Sequence, residues 1–63
     1  MEKLLTTNEV AKFLDVAPYT IYLLRQTGQG PRYMKLGRII RYKMEDVQAW
    51  VEEKTKEKEY PGY

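Results

Sequence analysis

The first third of the chain contains two apolar helical patterns separated by only a few residues, and this short interval constrains the fold most. The first pattern runs to about Leu14, and Asp15 interrupts it. Pro18 suits the first position of a second helix, because its missing amide hydrogen would be unsatisfied there anyway. Two helices joined so closely must pack at a steep angle around a tight turn. The sequence therefore predicts a helix-turn-helix motif.

Local signals mark the start of the first helix. Thr6 can accept a hydrogen bond from the first free amide groups and Glu9 can accept one in return, which makes a capping box. Leu5 and Val10 can form a hydrophobic staple around it. The expected buried stripe has helical spacing, with Ala11 alongside, and consists of Val10, Phe13 and Leu14.

The second helix is expected over residues 18–26, with Ile21 and Leu24 facing the core. Gly28, followed by Gly30-Pro31, ends it. Because Ile21 and Leu24 face the core, the opposite side of this helix is expected to be exposed to solvent, and we call it the open side. The residues expected on the open side are Pro18, Tyr19, Thr20, Tyr22 and Leu23.

After Pro31 the apolar pattern changes period. Two short runs rich in bulky and branched residues, 32–36 and 39–42, flank Gly37-Arg38. A two-residue turn that begins with glycine between such runs is typical of a β-hairpin with a primed turn. The sequence therefore predicts a hairpin over residues 32–42.

A third helix is expected from Met44, because Glu45 and Asp46 favour the positive end of a helix dipole. Its expected buried residues are Val47, Trp50 and Val51, and Tyr42 is expected to be a second core aromatic. Residues 52–59 have mixed charge and no apolar face, and residues 60–63 are expected to be a loose tail. We therefore expect one domain over 1–54, followed by a charged helical extension and tail over 55–63.

The length and composition exclude several classes of function. A chain of 63 residues can form only one small core, and it contains no cysteine and no histidine. Disulfides, thiolate or imidazole metal sites and the usual nucleophilic constellations are thereby excluded. No apolar run is long enough to span a membrane. We expect a cytoplasmic protein that is not an enzyme and that has no cofactor, no small-molecule ligand and no membrane partner.

Basic residues are concentrated in the middle of the chain. Between Val16 and Met44 there are six basic side chains and no acidic one, whereas all nine carboxylates lie outside this basic window. A field of one sign along a compact surface favours a polyanion, most commonly nucleic acid. The six residues are Arg25, Arg32, Lys35, Arg38, Arg41 and Lys43.

The members of the basic window have competing interpretations. The whole window could be an ordinary solvated surface, and the helix dipole alone would explain Arg25. Arg38 is the strongest candidate for DNA contact, because a cation at a hairpin tip can enter a narrow minor groove or bind phosphate. Thr20 could contact DNA through its hydroxyl or could cap or pack locally.

A set of spaced motifs runs through residues 4–54: Leu5–Ala11, the segment RQTGQGPRYMKL from Arg25 to Leu36, Gly37-Arg38, Arg41-Tyr42, and Glu45–Val47 leading to Trp50. Together they resemble the excisionase family of MerR-like winged helix-turn-helix domains. The layout is mainly α with a small β-hairpin, in the order helix-helix-hairpin-helix. Ala17 stands where that family commonly has a serine cap.

This resemblance implies a DNA-binding protein of a mobile element or prophage. It would be an excisionase that bends attachment-site DNA and directs an integrase towards excision, or a small transcriptional regulator. The second helix would enter the major groove, and the wing would touch the neighbouring minor groove or backbone. We expect a monomer whose partners are double-stranded DNA and either an integrase or further copies of itself on repeated sites.

The residues expected to contact DNA are Pro18, Tyr19, Thr20, Tyr22, Leu23, Arg25, Arg32, Lys35, Arg38, Arg41 and Lys43. A hypothesis of another class is a protein interaction module, in which exposed Tyr19, Tyr22 and Leu23 form an apolar docking patch and DNA is irrelevant.

Overall fold

The computed structural model describes residues 3–56 of the chain. Its elements are β1 (Leu4–Leu5), α1 (Thr7–Leu14), α2 (Pro18–Thr27), β2 (Met34–Leu36), β3 (Ile39–Lys43) and α3 (Met44–Lys56). The expected order helix-helix-hairpin-helix is confirmed, and β1 precedes it. We call the hairpin formed by β2, the Gly37-Arg38 turn and β3 the wing.

The capping box at the start of α1 is confirmed. The Thr6 hydroxyl accepts a hydrogen bond from the Glu9 amide at 3.1 Å, and the Thr6 amide donates to the Glu9 carboxylate at 2.9 Å. The bond from the Thr6 amide is the main reason why the pKa of Glu9 is lowered, and Lys3, whose Nζ lies 2.9 Å from the carboxylate, adds to the effect. The first turn of α1 is therefore held by side chains from its own sequence.

A tight turn joins α1 to α2. Asp15 adopts a left-handed conformation with φ of 61° at the end of α1, and the Val16 amide donates to the Ala11 carbonyl at 2.9 Å. Pro18 then begins α2, as expected. The helix ends at Thr27, and Gly28 caps it with a φ of 74° that suits glycine.

The three strands form one antiparallel sheet in the order β1-β3-β2. At the end of the wing Leu36 pairs with Ile39, and Gly37 between them has φ of 67°. A positive φ at the first central residue is what a primed two-residue turn requires, so the predicted hairpin is confirmed. The additional strand β1 places Leu5 opposite Tyr42. Strand β1 is not predicted from the sequence, because two residues carry no periodicity of their own.

The core is formed by residues from α1, α2, β3 and α3. The fully buried residues of this core are Val10, Ala11, Ile21, Tyr42 and Val47. Pro31, in the connection between α2 and β2, is also buried. Leu5, Leu14, Leu24 and Ile40 are partly buried and pack against them. The expected core positions in the second helix, and the expected burial of Tyr42, are thus confirmed.

The expected burial of Phe13 is wrong, because its side chain is 49% exposed. Successive helical residues are rotated by about 100°. A buried face that includes Val10, Ala11 and Leu14 is centred between those residues, which leaves Phe13 at its margin. The apolar pattern identified the helix correctly and misplaced the centre of its buried face.

The third helix begins at Met44 as expected, and Val47 is its fully buried residue. Trp50 and Val51 are half-buried rather than fully buried. The Trp50 indole N–H donates to the Gln29 carbonyl at 3.0 Å, which ties α3 to the segment between α2 and the wing. The expected boundary after residue 54 stays a prediction. Helix α3 continues to Lys56, and residues 57–63 of the expected extension and tail over 55–63 lie outside the described residues.

These helices and the wing make a winged helix-turn-helix fold. Within residues 3–56 no helix combines the length and the apolar character needed to cross a membrane.

Candidate nucleic-acid interface

The open side of α2 is as the sequence predicts. Ile21 is buried and Leu24 packs against the core, so the helix presents its remaining positions outwards. Tyr19 and Tyr22 stack on each other with ring centroids 5.8 Å apart. The residues exposed on this side are Pro18, Tyr19, Thr20, Tyr22 and Leu23. Hydroxyl groups and an apolar leucine on one helix face can contact base edges, phosphates and thymine methyl groups.

A groove of about 560 Å³ lies between α2 and the wing, and we call it the basic groove. Three of the six basic residues of the window line it, namely Arg25, Lys35 and Arg38. Gln26, Tyr33, Gly37 and Ile40 complete its lining. The groove therefore joins the exposed helix to the hairpin through a positively charged surface.

Arg25 is engaged inside the protein. Its Nη1 donates to the Tyr42 hydroxyl at 3.0 Å and to the Thr7 hydroxyl at 3.2 Å. Its guanidinium carbon lies 5.6 Å from the ring centroid of Tyr22 and 5.9 Å from that of Tyr33. Arg25 thus links α1 and α2 to β3 and to Tyr33, the residue that precedes β2, and it fixes the position of the wing relative to α2.

The sequence leaves two interpretations of Arg25 open, DNA contact and interaction with the helix dipole, and neither predicts these contacts. They join residues that lie 17 and 18 positions apart in the sequence. A local pattern carries no signal for such a pairing. The role of Arg25 in DNA contact stays a prediction, but its hydrogen bonds show what it does in the folded chain.

A second groove, of about 370 Å³, lies between the start of α1 and the wing. Arg38 and Arg41 line it, and the Arg41 Nη1 donates to the Ile40 carbonyl at 2.8 Å. Thr7 and Asn8 of α1 also line it, and the sequence analysis did not propose either for the interface. Arg38 is the basic residue that the two grooves share.

The remaining basic residues are placed differently. Arg32 is exposed in the connection between α2 and β2, beside Gly30 and Pro31 in a smaller pocket. Lys43 lies at the end of β3 and is half-buried, and it lines neither of the two grooves. Four of the six cations therefore line the two grooves, and Arg32 and Lys43 line neither.

The model of a family described as the helix-turn-helix domain matches residues 4–55. The match spans every element from β1 to the last turn of α3 and supports a helix-turn-helix DNA-binding domain. A search of curated proteins found no match to the chain.

Proposed function

Since this chain belongs to the helix-turn-helix domain family, we propose that it binds double-stranded DNA sequence-specifically, with α2 in the major groove and the wing at the flanking minor groove or backbone. The observation that carries this proposal is the basic groove, which lies between the exposed side of α2 and the wing. The role is binding rather than catalysis.

Affinity and specificity come from two different kinds of contact. The cations of the wing bind phosphates, which supplies most of the affinity without reading sequence. The exposed side of α2 supplies specificity, through the hydroxyls of Tyr19 and Thr20 and through contact of Leu23 with thymine methyl groups. One such domain covers few base pairs, so useful specificity requires a partner or repeated sites.

The proposed biological role is that of an excisionase-like recombination directionality factor, supported by the resemblance of the spaced motifs to that family. The partner would be an integrase or further copies of the chain. The surface proposed for this contact is the acidic and lysine-rich third helix together with the tail. Glu45, Glu52 and Glu53 are exposed on α3. These carboxylates lie outside the basic window and complement a cationic partner.

The binding proposal is tested by fluorescence anisotropy with a mixed-sequence duplex over a series of salt concentrations. Neutralising four to six phosphates gives a slope of log K against log salt of about −4 to −5. The double variant Lys35→Ala, Arg38→Ala should lower the magnitude of this slope by about 2. A matched control, Lys12→Ala with Lys54→Ala, removes the same charge from outside the basic window and should change the slope much less.

Two results would contradict the binding proposal. One is the absence of binding even at low salt, and the other is an unchanged slope in the wing double variant. The absence of binding would favour a protein interaction module that docks through Tyr19, Tyr22 and Leu23. An unchanged slope would show that DNA is bound without phosphate contacts from Lys35 and Arg38.

The excisionase role is tested separately, first by gene context and then by recombination. An adjacent integrase gene favours this role, and the assay combines the chain with that integrase and its attachment-site DNA. The chain should direct the reaction towards excision. DNA binding without any effect on recombination, together with changed transcription of a neighbouring gene, would instead identify a transcriptional regulator.

A further inference from the structure

The tip of the wing exposes two large apolar side chains. Leu36 is 51% exposed and Ile39 is 49% exposed, and they flank the Gly37-Arg38 turn. The two residues are direct partners across the hairpin, so their side chains lie next to each other on one face. They form an apolar pair at the end of a projecting element.

Core packing does not account for this pair. Side chains alternate between the two faces of a strand. Ile40, which packs against the core, lies on the opposite face from Ile39 and shares its face with its partner Lys35. Leu36 and Ile39 therefore lie on the face that turns away from the core.

Two cations lie beside the apolar pair. Arg38 stands in the turn between its two members, and Arg41 lies two positions beyond Ile39 on the same face. A purely apolar protein surface would desolvate both charges without supplying an anion. The minor groove of DNA suits both the cations and the apolar pair. Its phosphates can bind the cations, and they flank base steps between which apolar side chains can insert.

We propose that Leu36 and Ile39 form a wedge that enters the minor groove and partly unstacks one base step, while Arg38 binds the adjacent backbone. This inference rests on the proposed DNA binding, and it adds a mode of contact that hydrogen bonding and charge do not supply. Pyrimidine–purine steps such as TA and CA unstack most easily, so the wedge favours them at a position that α2 does not read. Wedges of this kind kink DNA by about 20–90°.

The test uses the full chain and a short mixed-sequence duplex that carries the fluorescent base 2-aminopurine within TA and CA steps. Unstacking raises the fluorescence of this base, and donor and acceptor dyes on the duplex ends report the bend in parallel. The wild-type chain should raise the 2-aminopurine signal and bring the ends closer. The double variant Leu36→Ser, Ile39→Ser should lose both changes while it keeps the salt slope of binding measured by anisotropy.

Two control variants sharpen this test. Phe13→Ser removes an apolar side chain of similar exposure from α1 and should leave both signals as in the wild type. Leu36→Met with Ile39→Val keeps the tip apolar and should retain them. Circular dichroism shows whether each variant is folded. Because Leu36 and Ile39 are exposed, we expect the variants at these two positions to remain folded.

The possible failures are distinguishable. If the wild-type chain binds DNA without raising the 2-aminopurine signal, the wedge is wrong and the proposed DNA binding stands. If the serine double variant keeps the full signal, the wedge is also wrong. If that variant instead loses association with a second copy of the chain while unstacking persists, the tip docks protein and the inference is overturned. Absence of DNA binding at any salt concentration removes the proposed function and the wedge together.

Discussion

The root and the tip of the wing differ in how their side chains are engaged. At the root, Tyr42 is fully buried, its hydroxyl accepts a hydrogen bond from Arg25, and its ring centroid lies 6.1 Å from that of Tyr33. At the tip, Arg38 is exposed and Leu36 and Ile39 are about half exposed. The same hairpin is thus anchored at one end and open at the other.

This difference separates stability from binding. Residues at the root should control the free energy of unfolding, because they connect α1, α2 and the sheet. Residues at the tip should control DNA affinity and its salt dependence with little effect on folding.

The largest effect is expected for Tyr42→Ala. Removing a large buried aromatic costs about 3–5 kcal/mol, and a core of this size rarely supplies more than about 3–5 kcal/mol in total. The variant should therefore be largely unfolded by circular dichroism. Tyr42→Phe keeps the ring and loses only the hydroxyl, so it should remain folded with a loss of about 1 kcal/mol in urea titration. A Tyr42→Ala variant with a wild-type urea midpoint would show that the root does not anchor the fold.

Arg25→Ala should have the second largest effect. It removes the donor from the Tyr42 and Thr7 hydroxyls and the cation from two tyrosine rings. We expect a loss of about 1–3 kcal/mol in the free energy of unfolding, measured by urea titration. The salt slope of DNA binding should change less than in Arg38→Ala, since Arg25 is engaged internally.

Arg25→Lys is the matched control, because it keeps the charge and loses the planar fork that reaches both hydroxyls. It should be destabilised nearly as much as Arg25→Ala. If Arg25→Lys were as stable as the wild type while Arg25→Ala reduced the salt slope, Arg25 would be a phosphate contact, as the basic window originally suggested.

Thr6→Ala should have an intermediate effect, because Thr6 caps the helix whose first residue, Thr7, contacts Arg25. Loss of a side-chain cap costs about 1 kcal/mol. The urea midpoint should fall accordingly. Thr6→Ser keeps the hydroxyl and should restore most of the stability, whereas equal destabilisation by serine would point to lost packing of the threonine methyl group.

The same cap makes stability depend on pH. The pKa of Glu9 is lowered in the folded chain, chiefly by the hydrogen bond from the Thr6 amide and then by Lys3. The stabilisation is therefore complete above the pKa that Glu9 has in the unfolded chain, and it is lost as pH falls through the lower folded value. Glu9→Gln should be less stable than the wild type at neutral pH and should lose less stability on acidification. Parallel urea titrations at acidic and neutral pH measure the difference.

Local signals in the sequence predicted most of the fold. The capping box, Pro18, Gly28 and the Gly37-Arg38 turn each act within a few residues, and each element that they predicted is present. Strand β1 and the contacts of Arg25 depend on pairing between distant segments, which no local pattern encodes. The same limit applies to the interface: exposure on α2 follows from helical spacing, whereas the basic groove exists only once α2 and the wing are packed together.

Arg38→Ala should have the smallest effect on stability and a distinct effect on binding. Arg38 is an exposed turn residue, and exposed substitutions of this kind change the free energy of unfolding by less than about 0.5 kcal/mol. Because Arg38 lines both grooves, its loss should remove about one phosphate contact and lower the magnitude of the salt slope by about 0.9. Lys54→Ala removes one charge from α3 and should leave the slope close to wild type. A destabilised Arg38→Ala variant with an unchanged slope would reverse the assignment of stability to the root and of binding to the tip.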